Sequence, residues 1–429
     1  MTAPTPAAGR STRGAGHRIE WVAVGANFWL LGYAYGTWVA RIPPIAETTG
    51  SSPGVLGAVL LSITGGAAVS MPLAGRLCAR LSSAAVVRVA AVLTPLTLPL
   101  AALARAPWTL AVALAVLGMA QGALDVAMNT NAVAAVRRAG RPLMPAFHGM
   151  FSVGGMVGAG LGGLAAAHGV GVLAHFTWAA AGGTAVGLVA GRRLPLDPVP
   201  DPTPGARSDQ MSHPAQNVDS PAAQSARQAR SRLAGLRRID GLLIALGAIG
   251  FCSALGEGAM ADWSALFLHT VLETGEGTAA LGYAAFSVAM ALSRFGGAAV
   301  LRRHDPGLVL SAGCGLAAGG VMLAVFAPVA PLAVVGFAAV GVGLSCAFPV
   351  LLNAAGAHPL GSGPAISVVT TVGYTGFLAG PPLVGALGQW AGLRVGLAAV
   401  AAFAAFGAAL AARRREELRR HDPSREAAG

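Results

Sequence analysis

Apolar residues fall into twelve long stretches, separated by short polar or basic segments. A hydrocarbon core about 30 Å thick is crossed by about 20 apolar residues in helical form. The stretches occupy roughly residues 20–42, 54–75, 84–104, 108–135, 145–167 and 170–191, then 240–268, 278–300, 308–327, 332–355, 363–388 and 392–412. The pattern predicts an all-α integral membrane protein with twelve transmembrane helices. The first 19 residues are rich in Pro, Gly, Thr and Arg and lack the short apolar core of a signal peptide, so the first stretch is expected to remain as a span.

Composition agrees. The 429 residues are 55% hydrophobic and only 11% charged, with 60 Gly and a mean hydropathy of +0.64, whereas soluble domains carry roughly 25% charged residues. This argues against a water-soluble globular enzyme. The net charge of +12 comes from Arg alone and punctuates apolar runs, so the expected partner is the lipid bilayer and not nucleic acid. Cys78, Cys252, Cys314 and Cys346 form no Cys-x-x-Cys pair, which gives no sign of a disulfide framework, and neither a metal nor a cofactor is expected.

Residues 194–238 hold seven Pro with many Ser, Ala, Gln and Arg, and read as a disordered linker. The expected organisation is a disordered N-terminus (1–19), a six-helix bundle (20–193), the linker (194–238), a second six-helix bundle (239–412) and an unstructured tail (413–429). Of the 29 basic residues, all but Arg41, Arg105 and Arg394 fall on the side of the termini and linker. Positively charged loops stay in the cytoplasm, so the termini and linker are expected there, in a bacterial inner membrane.

The halves show traces of repetition. Gly75 and Arg80 after the second stretch match Gly297 and Arg302 after the eighth at an offset of 222, and Trp38 and Trp263 lie near the same offset. Small-residue spacing recurs at Gly154, Gly158 and Gly162 and at Gly376 and Gly380, which lets helices approach closely.

Twelve helices divided six and six by a basic linker, with this Gly and Arg signal, resemble the major facilitator superfamily over about residues 20–412. The strings Trp38 to Pro44, Gly122 to Asn131, His148 to Gly155, Glu257 to Leu268 and Tyr374 to Gly385 are similar to a bacterial branch of inner-membrane facilitators related to the fucose and sugar permeases. The resemblance implies two pseudo-symmetric bundles around a central cavity and alternating access. Two departures stand out. In the segment that forms the family's cytoplasmic gate, Ala79 stands where an acid is usual before Arg80, and Ser82 replaces a Gly. The Gly-x-x-x-Gly-Pro pattern typical of drug antiporters is missing from the fifth helix and occurs instead at Gly376, Gly380 and Pro381.

An ionised side chain at the centre of a membrane helix costs about 2.5 to 3.5 kcal/mol on insertion scales, so each needs a partner or a wet cavity. Gln121, Asp125 and Asn129 recur at spacing four and form one polar stripe, either a binding site or a helix-packing device. Glu257 shares a face with Ser253 and Ser264, while Asp262 lies about 140° round the helix. Ser367, Thr371 and Tyr374 form a hydroxyl stripe, suited to a polyol unless Ser and Thr bond their own backbone. His148 is open between a cap and a proton relay, and Arg294 between snorkelling to headgroups and a cavity role beside Tyr283 and Ser287.

The expected substrate-binding set is Asn27, Gln121, Asp125, Asn129, Ser367, Thr371 and Tyr374, with proton coupling at Glu257 and Asp125. Arg41, Asp262 and Arg80 are the expected gating residues, Arg41 latching to Asp262 or Glu257. These residues suit a monomeric secondary transporter moving a small polar, sugar-like solute with protons. The alternatives are an efflux antiporter and a non-transporting sensor on the same scaffold. A sugar site should be lined by hydroxyls and amides, whereas a cation site should set an acid among aromatic rings. Aromatic residues make up only 6% of the chain, which leans toward the former.

A cysteine placed at Ser208 tests the topology. An impermeant thiol reagent should label it only after permeabilisation, and strong labelling of intact cells would overturn the assignment.

Overall fold

The computed structural model describes residues 9–139, 143–194, 240–360 and 362–420. Among these, helices dominate and no strand occurs. The first half contains α1 (Gly9–Val39), α2 (Ile42–Thr49), α3 (Pro53–Leu81), α4 (Ser83–Leu96), α5 (Leu98–Ala102), α6 (Pro107–Ala139), α7 (Met144–Ala167) and α8 (Val172–Gly191). The second contains α9 (Gly241–Thr270), α10 (Glu276–Ala279), α11 (Leu281–Arg303), α12 (Pro306–Phe326), α13 (Ala330–Leu344), α14 (Ala347–Gly356), α15 (Ser362–Ala391), α16 (Leu393–Arg413) and α17 (Arg415–Arg420). Ten of the spans pass a test of length and apolar composition, and α1 and α15 complete the twelve-helix architecture.

Local chemistry sets many boundaries. Proline, which lacks an N–H and cannot continue a preceding helix, opens α3, α6 and α12. Asp240 caps α9 by accepting from the backbone N–H groups of Leu242 (3.1 Å) and Leu243 (3.0 Å), and Asp305 caps α12 through Leu308 (3.0 Å). The tenth span divides into α13 and α14 just ahead of Pro349, whose ring would clash with the carbonyl of Ser345 in a continuous helix.

Two boundaries differ from expectation. Helix α1 begins at Gly9, inside the segment expected to be disordered, and residues 1–8 lie outside the described residues. The tail expected to be unstructured forms α17, because Leu418 finds a buried seat and Arg415 meets Asp305 at 3.4 Å. Residues 421–429 and most of the expected linker, 195–239, lie outside the described residues.

The halves repeat one packing scheme. Helix α1 packs on α7 as α9 packs on α15, α3 on α6 as α11 on α13, and α4 on α8 as α12 on α16. The halves meet chiefly where α3 touches α15 and α7 touches α11. Between α1 and α7 the backbones touch: a Cβ at Gly32 or Gly154 would strike the carbonyl of Phe151 or Trp29. Gly376 does the same against Phe251 in the second half. Lipid tails offer no hydrophobic drive between helices, so such close packing supplies much of the adhesion. Outward faces stay apolar, and Trp108 and Trp390 stand exposed near helix ends, where aromatic rings anchor at the membrane interface.

Two corners between consecutive helices have nearly the same backbone geometry. Gly392, ahead of α16, has φ 88° and ψ 155°, and Ser82, ahead of α4, has φ 93° and ψ 151°. This region suits glycine and costs another residue about 1 to 3 kcal/mol. The Ser82 side chain recovers part of that cost by accepting from the Ala85 N–H at 3.3 Å. Replacing a serine cap by glycine loses only a few tenths of a kcal/mol, so Ser82→Gly should stabilise the protein by roughly 1 kcal/mol. Ser82→Ala keeps the strain and loses the cap, and should be the less stable variant in a thermal unfolding comparison.

Candidate functional site

Polar side chains from both halves converge between α1, α6, α7, α9, α11 and α15. On α6, the Asn129 side-chain amide donates to the Asp125 carboxylate at 3.0 Å and to its backbone carbonyl at 2.9 Å. Gln121 does not close the stripe: its amide nitrogen is buried without a hydrogen-bond partner. Asn27 is also buried. Its amide donates to the Ala23 carbonyl at 2.8 Å, while its side-chain oxygen has no partner.

Arg294 turns inward. Its guanidinium stands 3.6 Å from one carboxylate oxygen of Glu257 and donates to the Ser152 hydroxyl on α7 at 3.1 Å. This decides against headgroup snorkelling, because an acid on the neighbouring helix offers a partner. The second oxygen of Glu257 is buried without a hydrogen bond. His148 packs edge-on to Phe28 with ring centroids 5.2 Å apart and lies within the field of Arg294. Tyr374 on α15 is 59% exposed, and its hydroxyl lies within electrostatic range of both Asp125 and Glu257. Of the α15 stripe, Tyr374 is thus brought toward Asp125 and Glu257. Ser367 and Thr371 are exposed and their hydroxyls make no hydrogen bond with a described residue, whereas the Thr370 and Thr375 hydroxyls donate to carbonyls of their own helix.

The gating residues follow a different arrangement. Arg41, only 1% exposed, pairs with Glu276 at 2.7 Å and not with Asp262 or Glu257. It also donates to the Val170 carbonyl and to Nδ1 of His175 at 3.4 Å. Asp262 is buried within the bundle and takes no part in this pair, because Glu276 supplies the carboxylate that Arg41 meets. Arg80 is exposed in the last turn of α3, and among the described residues it has no acidic partner. Glu276 opens the short helix α10 and lies outside the apolar stretches, so hydropathy does not single it out.

Further ties join the halves on the face that carries α2. His269 meets Glu47 at 2.8 Å, and the Gly54 N–H donates to Gln389 at 3.4 Å. A cavity of about 500 Å³ lies between these ties, lined from both halves by residues including Pro43, Glu47, Pro53, Leu266 and Leu393. On the opposite face the last turn of α3, through Arg76, Ala79, Arg80 and Leu81, is exposed. The α2 face is closed by polar contacts.

Comparison with known proteins agrees with this architecture. The profile of the Major Facilitator Superfamily matches residues 23–363, and the chain belongs to that family of membrane transporters. It is 34% identical to the transporter y4wD of Sinorhizobium fredii, over 91% of this chain and 97% of that one. It is 33% identical to an MFS-type transporter of Yersinia pestis, over 87% and 90%. Among solved structures it resembles a point mutant of the nucleoside transporter NupG, with TM-score 0.68 and 15% identity over 93% of this chain and 99% of that one. It also resembles a bacterial Spinster homologue captured inward-facing, with TM-score 0.67 and 15% identity over 95% and 98%.

Glu276 is 35% exposed and Arg41 keeps its contacts with Val170 and His175, so removing the carboxylate costs about 1 kcal/mol. Glu276→Gln should therefore weaken closure of the α2 face, and Glu276→Asp should largely preserve it. The readout is labelling of a cysteine at Tyr35 by an impermeant reagent reaching that face. Labelling should accelerate several-fold in the Gln variant. An unchanged rate would show that the pair does not hold the face closed.

Proposed function

We propose that the chain is a proton-coupled secondary transporter that carries a small polar solute by alternating access. The supporting observation is that groups from both halves face one another across the bundle: Arg294 with Glu257 and Ser152, and Tyr374 with Asp125 and Glu257. A solute held between two halves that rock against each other can be released to either side. Asn27, Gln121, Asp125, Asn129, Ser367, Thr371 and Tyr374 line the solute path in this reading. The unpartnered buried atoms of Asn27 and Gln121 are the donors and acceptors a polar solute would satisfy.

Glu257 is the proton carrier. One of its oxygens meets a guanidinium without the geometry of a hydrogen bond, and the other meets nothing. Protonation would release Arg294 to its contact with Ser152 on the other half, which links proton occupancy to the relation between the halves. The skewed distribution of Arg supports a cytoplasmic linker face. The closed α2 face is then external, and the protein stands inward-facing. Arg41 serves as the external gate through Glu276, and the chain acts as a monomer.

A thermal-shift screen of sugars, polyols, amino acids and amines supplies a solute, since a ligand of the folded state raises stability. In proteoliposomes, Glu257→Gln should then lower gradient-driven accumulation by about tenfold or more while exchange without a gradient stays within about twofold. Equal loss of both would reassign Glu257 to binding or folding.

A further inference from the structure

Two histidines meet carboxylates at opposite ends of α9, and they are wired differently. Near its start, His358 stands 3.0 Å from an Asp240 oxygen through Nε2, while its Nδ1 accepts the Leu360 N–H at 3.1 Å. One donor and one acceptor are what a neutral imidazole has, so these contacts need no charge on the ring. In the last turn of α9, His269 stands 2.8 Å from the Glu47 carboxylate through Nε2 and 2.7 Å from the Thr274 carbonyl through Nδ1. Both of these partners only accept. A neutral ring carries a single N–H and must turn a lone pair toward one of them, whereas the imidazolium donates to both.

The two acceptors are held independently of the ring. Beyond α9 the chain turns at Glu273, in the left-handed region with φ 52°, and Thr274 folds back so that its N–H and hydroxyl donate to the Leu268 carbonyl at 3.2 and 2.9 Å. Glu47 is carried by α2, which ends on the left-handed Gly50. Glu47 belongs to the first half and His269 to the second, so their contact is a tie across the α2 face. The other charged groups around His269 are Glu276 on α10, whose field reaches the ring, and Arg41, which holds Glu276. Arg41 keeps its charge throughout the physiological range, so the face combines a permanent tie with one that titrates. His175 on α8 works in the opposite sense, because its Nδ1 accepts from Arg41 and protonation would remove that role.

We propose that His269 and Glu47 form a proton-operated latch, closed by acid on the α2 face and released when His269 loses its proton. The contact is complete below about pH 6.5, the ordinary value for histidine, and is lost as the pH rises through the ring's own titration. Glu47 is 66% exposed, so water weakens the pair and the latch biases the halves without fixing them. The inference takes from the transport reading only that the halves part, and depends on neither the solute nor Glu257. With the α2 face external, acid outside opposes outward opening even where a proton gradient drives movement.

The test uses the full chain in lipid nanodiscs, where both faces share one pH. Leu103→Cys and Val329→Cys place spin labels on exposed residues of the two halves, in loops on the α2 face. Their separation is read by pulsed electron resonance at about pH 5.5 and about pH 8.5, either side of the histidine range. The ratio of closed to open populations should fall about threefold more in the wild-type protein than in His269→Gln as the pH is raised. Glu47→Gln supplies an amide that donates to a neutral ring, so it should keep the face closed at the higher pH and lose most of the pH response. That variant carries the test if His269→Gln folds poorly. His358→Gln should leave the response intact. The same pH response in wild type, His269→Gln and Glu47→Gln overturns the latch and leaves alternating access standing. Opening in acid also overturns it and points to His175. A single closed population in every variant at both pH values would sink the latch together with the opening it controls.

Discussion

The constraint on which this structure turns is the cost of holding charge where water is scarce. Arg41 is nearly inaccessible and meets that cost with a carboxylate, a backbone carbonyl and an imidazole nitrogen drawn from three separate segments. Those partners join the first half of the chain to the second, so satisfying one guanidinium also closes one face of the molecule. Arg294 applies the same principle inside the bundle, where a carboxylate on α9 and a hydroxyl on α7 share it. Neither arrangement is locked. A pair at 3.6 Å and an acid 35% exposed can be exchanged for other partners at modest cost, which a protein that changes shape requires.

Packing provides the rigid background. Within each half, glycines allow helix backbones to touch, as Gly32 and Gly154 do between α1 and α7 and Gly376 between α9 and α15. Such contacts have no compressible side chain between them, and each pair moves as one body. Between the halves, α3 meets α15 and α7 meets α11. The polar ties beside those contacts are concentrated on the α2 face, through Arg41, Glu47 and Gln389.

The spans were legible in the sequence because a bilayer imposes one length on every apolar stretch. The short helix α2 and the tail helix α17 were not, since neither is long enough to register in a window of that size, and α17 depends on a distant seat for Leu418. The Asp125 and Asn129 pair could be read from spacing, because residues four apart on a helix are neighbours. The partner of Arg41 could not: Glu276 lies 235 positions away on another helix, and no local pattern selects it over Asp262. The inward turn of Arg294 was equally hidden, because its choice between headgroup and Glu257 depends on how α9 and α11 are rotated against each other.

Separation between seam and site has a consequence for how such a chain diversifies. The glycines that fuse α1 to α7 and α9 to α15 tolerate almost no change, whereas Asp125 is half-buried and Ser367 and Tyr374 are exposed, outside the packed core. Substitutions at the second group alter what fits without loosening the frame. A lineage can thus keep one scaffold and drift rapidly in cargo, so overall sequence identity between two members will report shared architecture far more faithfully than shared diet.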